Sequence, residues 1–259
     1  MKIYTYWVNQ NNQQAPIYIR MCIKTWEKYI PDLKLIVINE KNVSEYISGD
    51  IDLNSFNKLS LPQQSDVVSV AVLSKFGGVF IDADTIVTKD VTGYILDRRK
   101  SIFYSFGYPD NHEIHLAIMW CMEKNNPILV RWYETIKSKM ESLPKYIKWD
   151  YIGNSIIKDI LNEEKYKEHF EIIDRSSSGN IIESIFRPSV DSFKAYTEFW
   201  FGSEITSPEE IINKANAGAI SLHNSWTPYD FKRKSLEDVI DSNNTLSGLL
   251  CYLLTEKSH

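Results

Sequence analysis

The stretch Phe76-Gly77-Gly78-Val79-Phe80-Ile81-Asp82-Ala83-Asp84 constrains this chain more than any other. Two consecutive glycines end whatever precedes them, because glycine takes the left-handed backbone of a helix stop at no steric cost. Val79 to Ile81 then enter a core as a strand, and two carboxylates follow, one residue apart. Alternation along a strand places Asp82 and Asp84 on the same side. Like charges that close repel, and partial burial sharpens the conflict. A divalent cation removes it: Mg²⁺ or Mn²⁺ takes one or two protein carboxylates and fills its shell with phosphate oxygens and water.

The residues before this stretch agree with it. Ser60 to Gln63 has the pattern of a capping box, with Pro62 in the first turn, and it predicts a helix running to about Phe76. Val67 to Leu73 is rich in β-branched residues and by itself would suit a strand; the marks at both ends decide for helix. Nearer the start, Ile3 to Val8 reads as a strand and Asn9 to Gln14 as a polar loop. Ile19, Cys22, Ile23 and Trp26 recur at helical spacing within Pro16 to Tyr29. Pro31-Asp32 is a turn, and Leu33 to Asn39 is a second strand. This β-α-β opening begins a nucleotide-binding sheet, and the absence of G-x-G-x-x-G argues against a dinucleotide.

Further along, Ile102 to Phe106 is read as a strand, and Leu116 to Met122 suits strand or helix equally. Asn126-Pro127 starts a helix that buries Ile128, Leu129, Trp132, Tyr133 and Ile136. Tyr151 to Leu161 is expected to be helical. Ser207 to Glu210 resembles a second capping box. Gly218 leads into a short strand ending at His223, and Leu246 to Leu254 forms a final helix. No repeat, low-complexity stretch or linker interrupts the pattern, so residues 1–259 are read as one domain.

Composition narrows the function. The net charge of -5 argues against nonspecific nucleic-acid binding. Aromatics reach 13%, with 15 Tyr and 7 Trp; such rings serve sugar binding, though most pack in cores. Cys22, Cys121 and Cys251 are odd in number and without C-x-x-C spacing, which points to reduced thiols in a cytoplasmic protein. The opening residues turn polar too soon for a signal peptide or a membrane span.

At this point the chain resembles a family. Tyr4-Thr5-Tyr6-Trp7 with Pro16, then Cys22 to Trp26, Ser65-Asp66, and Leu73 to Asp84 together resemble the capsular-polysaccharide-synthesis glycosyltransferases, relatives of the Och1-like and DxD sugar-binding transferases. The resemblance covers about the first half of the chain. It implies an α/β chain with a GT-A fold, a Rossmann-like and mostly parallel sheet flanked by helices. It also implies a hexosyltransferase that moves a sugar from a nucleotide-sugar donor of the UDP-sugar type to an acceptor glycan in surface or capsular polysaccharide synthesis, with retention of configuration. Carried over position by position, Asp84 binds the metal, Asp82 holds the ribose or a water on the metal, and Asp66 binds the donor sugar's hydroxyls. Tyr6 or Trp7 lies near the base. Related chains carry Arg three residues after that Asp. Ser69 stands there instead, and a fixed guanidinium fork is lost from the stripe Gln63, Asp66, Ser69.

The segment Ser221-Leu222-His223-Asn224-Ser225-Trp226 is the second constellation. His223 is chemically suited to Mn²⁺, and the resemblance implies that a His, Asn or Ser here completes the metal shell while Trp226 closes over the diphosphate, with Ser225 and Trp226 both donor-binding. As a lone histidine, His223 equally suits a structural place, and Trp226 equally suits packing. His112, Glu113 and His115 have ligand-like spacing but read as a polar loop beside the sugar or acceptor pocket. Asp150, between Trp149 and Tyr151, is a candidate acceptor contact or a solvated helix start. Lys232-Arg233-Lys234 could steady phosphates or an anionic membrane surface, or be a solvated face.

The expected partners are therefore a nucleotide sugar and a glycan or lipid-linked oligosaccharide, with no nucleic acid. The expected location is the cytoplasm, with a peripheral association at the inner face of the membrane. Two alternatives accompany this reading. A haloacid-dehalogenase-like phosphatase would use Asp82 as nucleophile. A non-catalytic carbohydrate-binding protein would explain the missing Arg.

Overall fold

A computed structural model describes residues 1–9, 14–47 and 49–255. Most of the polar loop expected at Asn9 to Gln14 lies outside them. The chain divides into two compact units. The first comprises Met1–Asn12, Lys34–Asp82 and Leu96–Asp174, and the second Gln13–Leu33, Ala83–Ile95 and Arg175–His259. The chain leaves the first unit between Asp82 and Ala83.

The first unit is built on a six-stranded sheet. Its strands are β1 (Lys2–Tyr6), β2 (Lys34–Ile38), β3 (Gly78–Ile81), β5 (Phe103–Tyr108), β6 (Glu113–Cys121) and β7 (Phe170–Asp174), in the order β2-β1-β3-β6-β5-β7. The short strand β4 (Thr85–Val87) belongs to the second unit. β1 pairs in parallel with β2 and β3, and β5 with β7; β6 alone runs against its neighbours, with Val79 opposite Trp120 and Phe80 opposite Met119. The ambiguous segment at Leu116 to Met122 is therefore strand. Open edges on β3 and β5 give it two ladders of partners, which a free-standing helix of that length lacks. All four residues of β3 are buried, as expected of a central strand covered on both faces.

The helix Leu61–Phe76 forms despite its β-branched centre. Gln63 Oε1 accepts the Ser60 N–H at 3.0 Å and Pro62 sits in the first turn. Burial of Val67 to Ser74 supplies what propensity lacks. Each fully buried Val or Leu contributes about 1.5–3 kcal/mol. The helix stops at Gly77 (φ 65°) and Gly78 (φ 110°). A side chain on Gly77 would meet the Met122 carbonyl oxygen at 2.7 Å, and one on Gly78 would meet the Lys2 oxygen at 3.1 Å. Both glycines are therefore demanded by space as well as by φ. The helix Pro127–Glu141 starts where expected, with Asn126 Oδ1 accepting the N–H groups of Ile128 and Leu129. The next helix spans Asn154–Leu161, three residues shorter at its start than the periodicity suggests.

In the second unit, β4 pairs antiparallel with β8 (Ala219–Ser221), Ile86 opposite Ile220. The helix Ile17–Tyr29 is fastened to β4 by side chains: Trp26 Nε1 donates to the Thr85 carbonyl at 2.7 Å, and Thr25 Oγ1 accepts the Val87 N–H at 2.9 Å. Buried Trp200, Tyr196, Phe199, Leu246, Leu249, Leu250 and Leu253 fill the remaining core, the last four from the helix Thr245–Thr255. β8 ends two residues before His223, earlier than the sequence suggests. Ser207 caps the helix Pro208–Lys214 through the Glu210 N–H, without the return bond of a full capping box. No helix among the described residues is long and apolar enough to cross a membrane.

Candidate functional site

The two acids of the Asp82-Ala83-Asp84 motif end up in different settings. β3 stops at Ile81, and Ala83 and Asp84 lie in a turn before β4. Strand alternation therefore does not govern where Asp82 and Asp84 point, and that expectation is corrected. Asp82 is half-buried; its N–H donates to the Ala117 carbonyl at 2.7 Å, and Ser65 Oγ donates to its Oδ1 at 3.1 Å. Asp84 is buried, with 9% of its surface exposed. Its Oδ2 accepts the backbone N–H of Asn224 at 2.7 Å. Its carbonyl accepts the Leu222 N–H at 3.2 Å.

Burial raises the Asp84 pKa, while the Asn224 N–H, His223 and Lys232 pull it down without cancelling the rise. A buried carboxylate so placed favours a cation beside it. Lys232 is half-buried, and burial lowers its pKa against the opposing pull of Asp84. Lys232 is thus more than part of a solvated face. Lys234 is held by Ser242 Oγ at 2.7 Å, and Arg233 lies 5.5 Å from the Tyr229 ring.

The segment after β8 surrounds His223 with rings. The imidazole lies 5.3 Å from Tyr196 and 4.3 Å from Trp226, centre to centre. Trp226 also meets Tyr196 and Phe193 at 5.8 and 5.9 Å, so it packs here as well as remaining partly exposed. Ser225 is exposed. Asn224 Oδ1 accepts the Tyr18 hydroxyl. Neither Tyr18 nor the Asn224 N–H was singled out by sequence: one is far away in the chain, and the other is a backbone group.

In the first unit, Asp66 lies on the helix Leu61–Phe76, partly exposed, yet the protein around its carboxyl raises its pKa to about 8 by burial alone. Gly153 makes room for it: a side chain there would come within 2.7 Å of Asp66 Oδ2. The rest of the expected polar stripe is occupied. Ser69 is buried and its hydroxyl donates to the Asp66 carbonyl at 2.9 Å. Gln63 donates to the Lys148 carbonyl at 2.7 Å. Tyr6 is buried and donates to Gln64 Oε1 at 2.6 Å, whereas Trp7, just past β1, is half-buried. Asp150 is exposed, and its carbonyl receives Ser155 Oγ at 2.6 Å.

His112, Glu113 and His115 are not one polar loop. His112 occupies a left-handed turn (φ 52°) and its Nδ1 is 2.8 Å from Asn162 Oδ1. Glu113 and His115 begin β6, with Glu113 paired to Lys158 at 3.2 Å. Among the described residues, no group of three or more His, Cys, Asp or Glu side chains stands together as a metal cage. A cation carried on a diphosphate needs no such cage, since one or two carboxylates suffice. The Asp84 carboxylate is an oxygen ligand of the kind that Mn²⁺ or Mg²⁺ takes, and the His223 imidazole acts on it electrostatically.

Comparison with known proteins gives this geometry its relatives. The family model described as capsular polysaccharide synthesis protein matches residues 1–185. No curated protein matches the chain. Among solved structures, the glycosyltransferase GlyE of Streptococcus pneumoniae TIGR4 is similar over 99% of this chain, at 11% identity and a TM-score of 0.50; the chain spans 60% of GlyE. The PaToxG glycosyltransferase shares 16% identity over 84% of this chain and 85% of its own, with a TM-score of 0.48. The galactosyltransferase LgtC, solved with donor and acceptor sugar analogues, shares 12% identity over 100% and 98%, with a TM-score of 0.45. The mixed α/β architecture with its mostly parallel sheet is that of the GT-A glycosyltransferases, and the chain belongs to the capsular polysaccharide synthesis protein family.

Proposed function

We propose that this protein is a metal-dependent glycosyltransferase that moves a sugar from a nucleotide-sugar donor, of the UDP-sugar type, to an acceptor glycan in surface or capsular polysaccharide synthesis. The observation that carries the reading is the setting of Asp84: a buried carboxylate kept above its ordinary pKa by burial, with His223 and Lys232 near enough to act on it. Family membership supports the glycan context.

In this reading Asp84 holds Mn²⁺ or Mg²⁺, with His223 as the second protein donor. The ion would offset charge on the departing nucleoside diphosphate. Lys232, already within the field of Asp84, steadies the diphosphate, and Trp226 with Ser225 lies against it. Asp82 serves the ribose, and Asp66 the sugar hydroxyls. Trp7, rather than Tyr6 whose hydroxyl is spent on Gln64, would meet the base. Asp150 contacts the acceptor. The acceptor hydroxyl forms the new bond to the anomeric carbon as the bond to phosphate breaks. With retention of configuration, the leaving phosphate oxygen takes the hydroxyl proton, and no protein base is required. Lipid-linked acceptors would place the enzyme at the cytoplasmic face of the membrane. No observation favours the phosphatase or the lectin over this reading.

Calorimetry with UDP and GDP, with and without Mn²⁺, followed by a screen of nucleotide sugars for metal-dependent hydrolysis, tests it. Binding that requires Mn²⁺, and turnover abolished in Asp84→Ala, is expected. Normal turnover in that variant, or no nucleotide binding in the presence of Mn²⁺, overturns it.

A further inference from the structure

Tyr18 lies outside every motif read from the sequence. It sits in the first turn of the helix Ile17–Tyr29, with none of its surface exposed. Its ring packs on Phe231 at 5.8 Å, centre to centre. Its hydroxyl donates to Asn224 Oδ1, 206 positions along the chain. A buried phenol usually finds a hydrogen-bond partner. The partner here is the side chain of the residue whose backbone N–H is held by Asp84 Oδ2.

The turn that carries Asn224 closes without Tyr18. The N–H groups of Trp226 and Thr227 donate to the His223 carbonyl at 2.9 and 3.0 Å, and Thr227 Oγ1 is 2.8 Å from the Tyr196 hydroxyl. What the Tyr18 bond adds is the orientation of the Asn224 amide. That group is planar, with an acceptor at one end and two donors at the other, so fixing Oδ1 fixes Nδ2. Oδ1 is turned toward a fully buried residue, while Asn224 itself is half-buried. Nδ2 is thereby left for the open side, on the same residue that touches Asp84. Its two N–H donors suit an oxyanion and not a cation. Beside a carboxylate that holds a cation, that oxyanion is a phosphate oxygen carried by the cation.

We propose that Tyr18 is a positioning residue for Asn224: its hydroxyl holds the amide with Oδ1 inward, so that Nδ2 donates to a phosphate oxygen of the nucleoside diphosphate bound at Asp84. The diphosphate part of this inference rests on the function proposed above; the orientation of the amide stands on the Tyr18–Asn224 bond alone.

The experiment uses the full chain and the variants Tyr18→Phe, which removes only the hydroxyl, Asn224→Ala, which keeps the backbone N–H, and the double variant. Side-chain amide NMR on the nucleotide-free protein reads how firmly the Asn224 amide is held, its signals being identified by their loss in Asn224→Ala. Calorimetry with UDP and Mn²⁺ reads affinity. The expected result is a rigid amide in the wild type and a mobile one in Tyr18→Phe. UDP binding should weaken about tenfold to a hundredfold in Asn224→Ala, the size of a hydrogen bond to a charged group. It should weaken at least about threefold in Tyr18→Phe, and no further in the double variant than in Asn224→Ala, because one path carries both effects. A Tyr18→Phe amide as rigid as that of the wild type overturns the positioning role, as does a loss that persists undiminished in the Asn224→Ala background. Wild-type UDP affinity in Asn224→Ala overturns the phosphate contact. An amide that loosens in Tyr18→Phe while the wild type binds no UDP with Mn²⁺ upholds the positioning and overturns the diphosphate at Asp84, so the two failures are told apart.

Discussion

The backbone N–H of Asn224 donates to Oδ2 of Asp84 at 2.7 Å, joining residues 140 positions apart. This bond holds one oxygen of a carboxylate that burial has taken from water, and it does so without a side chain. The turn before β4 and the segment after β8 are locked to each other by it and by the Leu222 N–H on the Asp84 carbonyl.

Replacing Asp84 with Asn separates folding from chemistry. The amide oxygen keeps the Asn224 bond, and the neutral group avoids the cost of burying a charge, the same cost that raises the carboxyl's pKa. Without metal, the variant should melt at or above the wild-type temperature. Turnover should fall about a hundred- to a thousandfold, the size expected for losing a charge that stabilises the transition state. Thermal denaturation and steady-state kinetics check the two halves.

Asp66 makes stability depend on pH. Its carboxyl is raised from 3.8 to about 8 in the folded protein. Between these values the folded state keeps a proton that the unfolded chain has released, so stability falls as pH rises through the window and levels off above it. Asp66→Asn lacks this loss. Urea midpoints measured from about pH 5 to about pH 9 should decline more steeply for the wild type than for the variant; parallel curves would remove Asp66 as the cause.

Gly77 is required by both φ and space. At φ 65° and ψ -176°, with the Met122 carbonyl 2.7 Å from where a side chain would begin, Gly77→Ala should cost at least about 2 kcal/mol in urea unfolding. Gly248 is the control. It lies in the helix Thr245–Thr255 with nothing within 4 Å of an added side chain, and Gly248→Ala should stabilise by about 0.5–1 kcal/mol.

Local chemistry made much of this protein legible in its sequence. Helical spacing and caps located Ile17–Tyr29, Leu61–Phe76 and Pro127–Glu141, because a helix closes its hydrogen bonds among near neighbours and its ends are marked by side chains that satisfy them. The double glycine foretold the break before β3 for the same reason. Asp82, Asp84 and His223 could be put forward from the sequence because their residue types carry chemistry wherever they fall. Tertiary structure alone decided the sheet order, the reversed direction of β6, and the ending of β3 before Asp82. It also decided that Asp84 is buried against Asn224, that Ser69 and Tyr6 spend their hydroxyls internally, and that Glu183 faces His223. Apart from the Ser69 hydroxyl, which turns back on Asp66 within its own helix, these are facts of burial and of partners 40 to 140 residues apart, and neither periodicity nor spacing carries information over that range, since strand pairing and the electrostatic setting of a side chain are fixed by whatever the rest of the chain packs beside it.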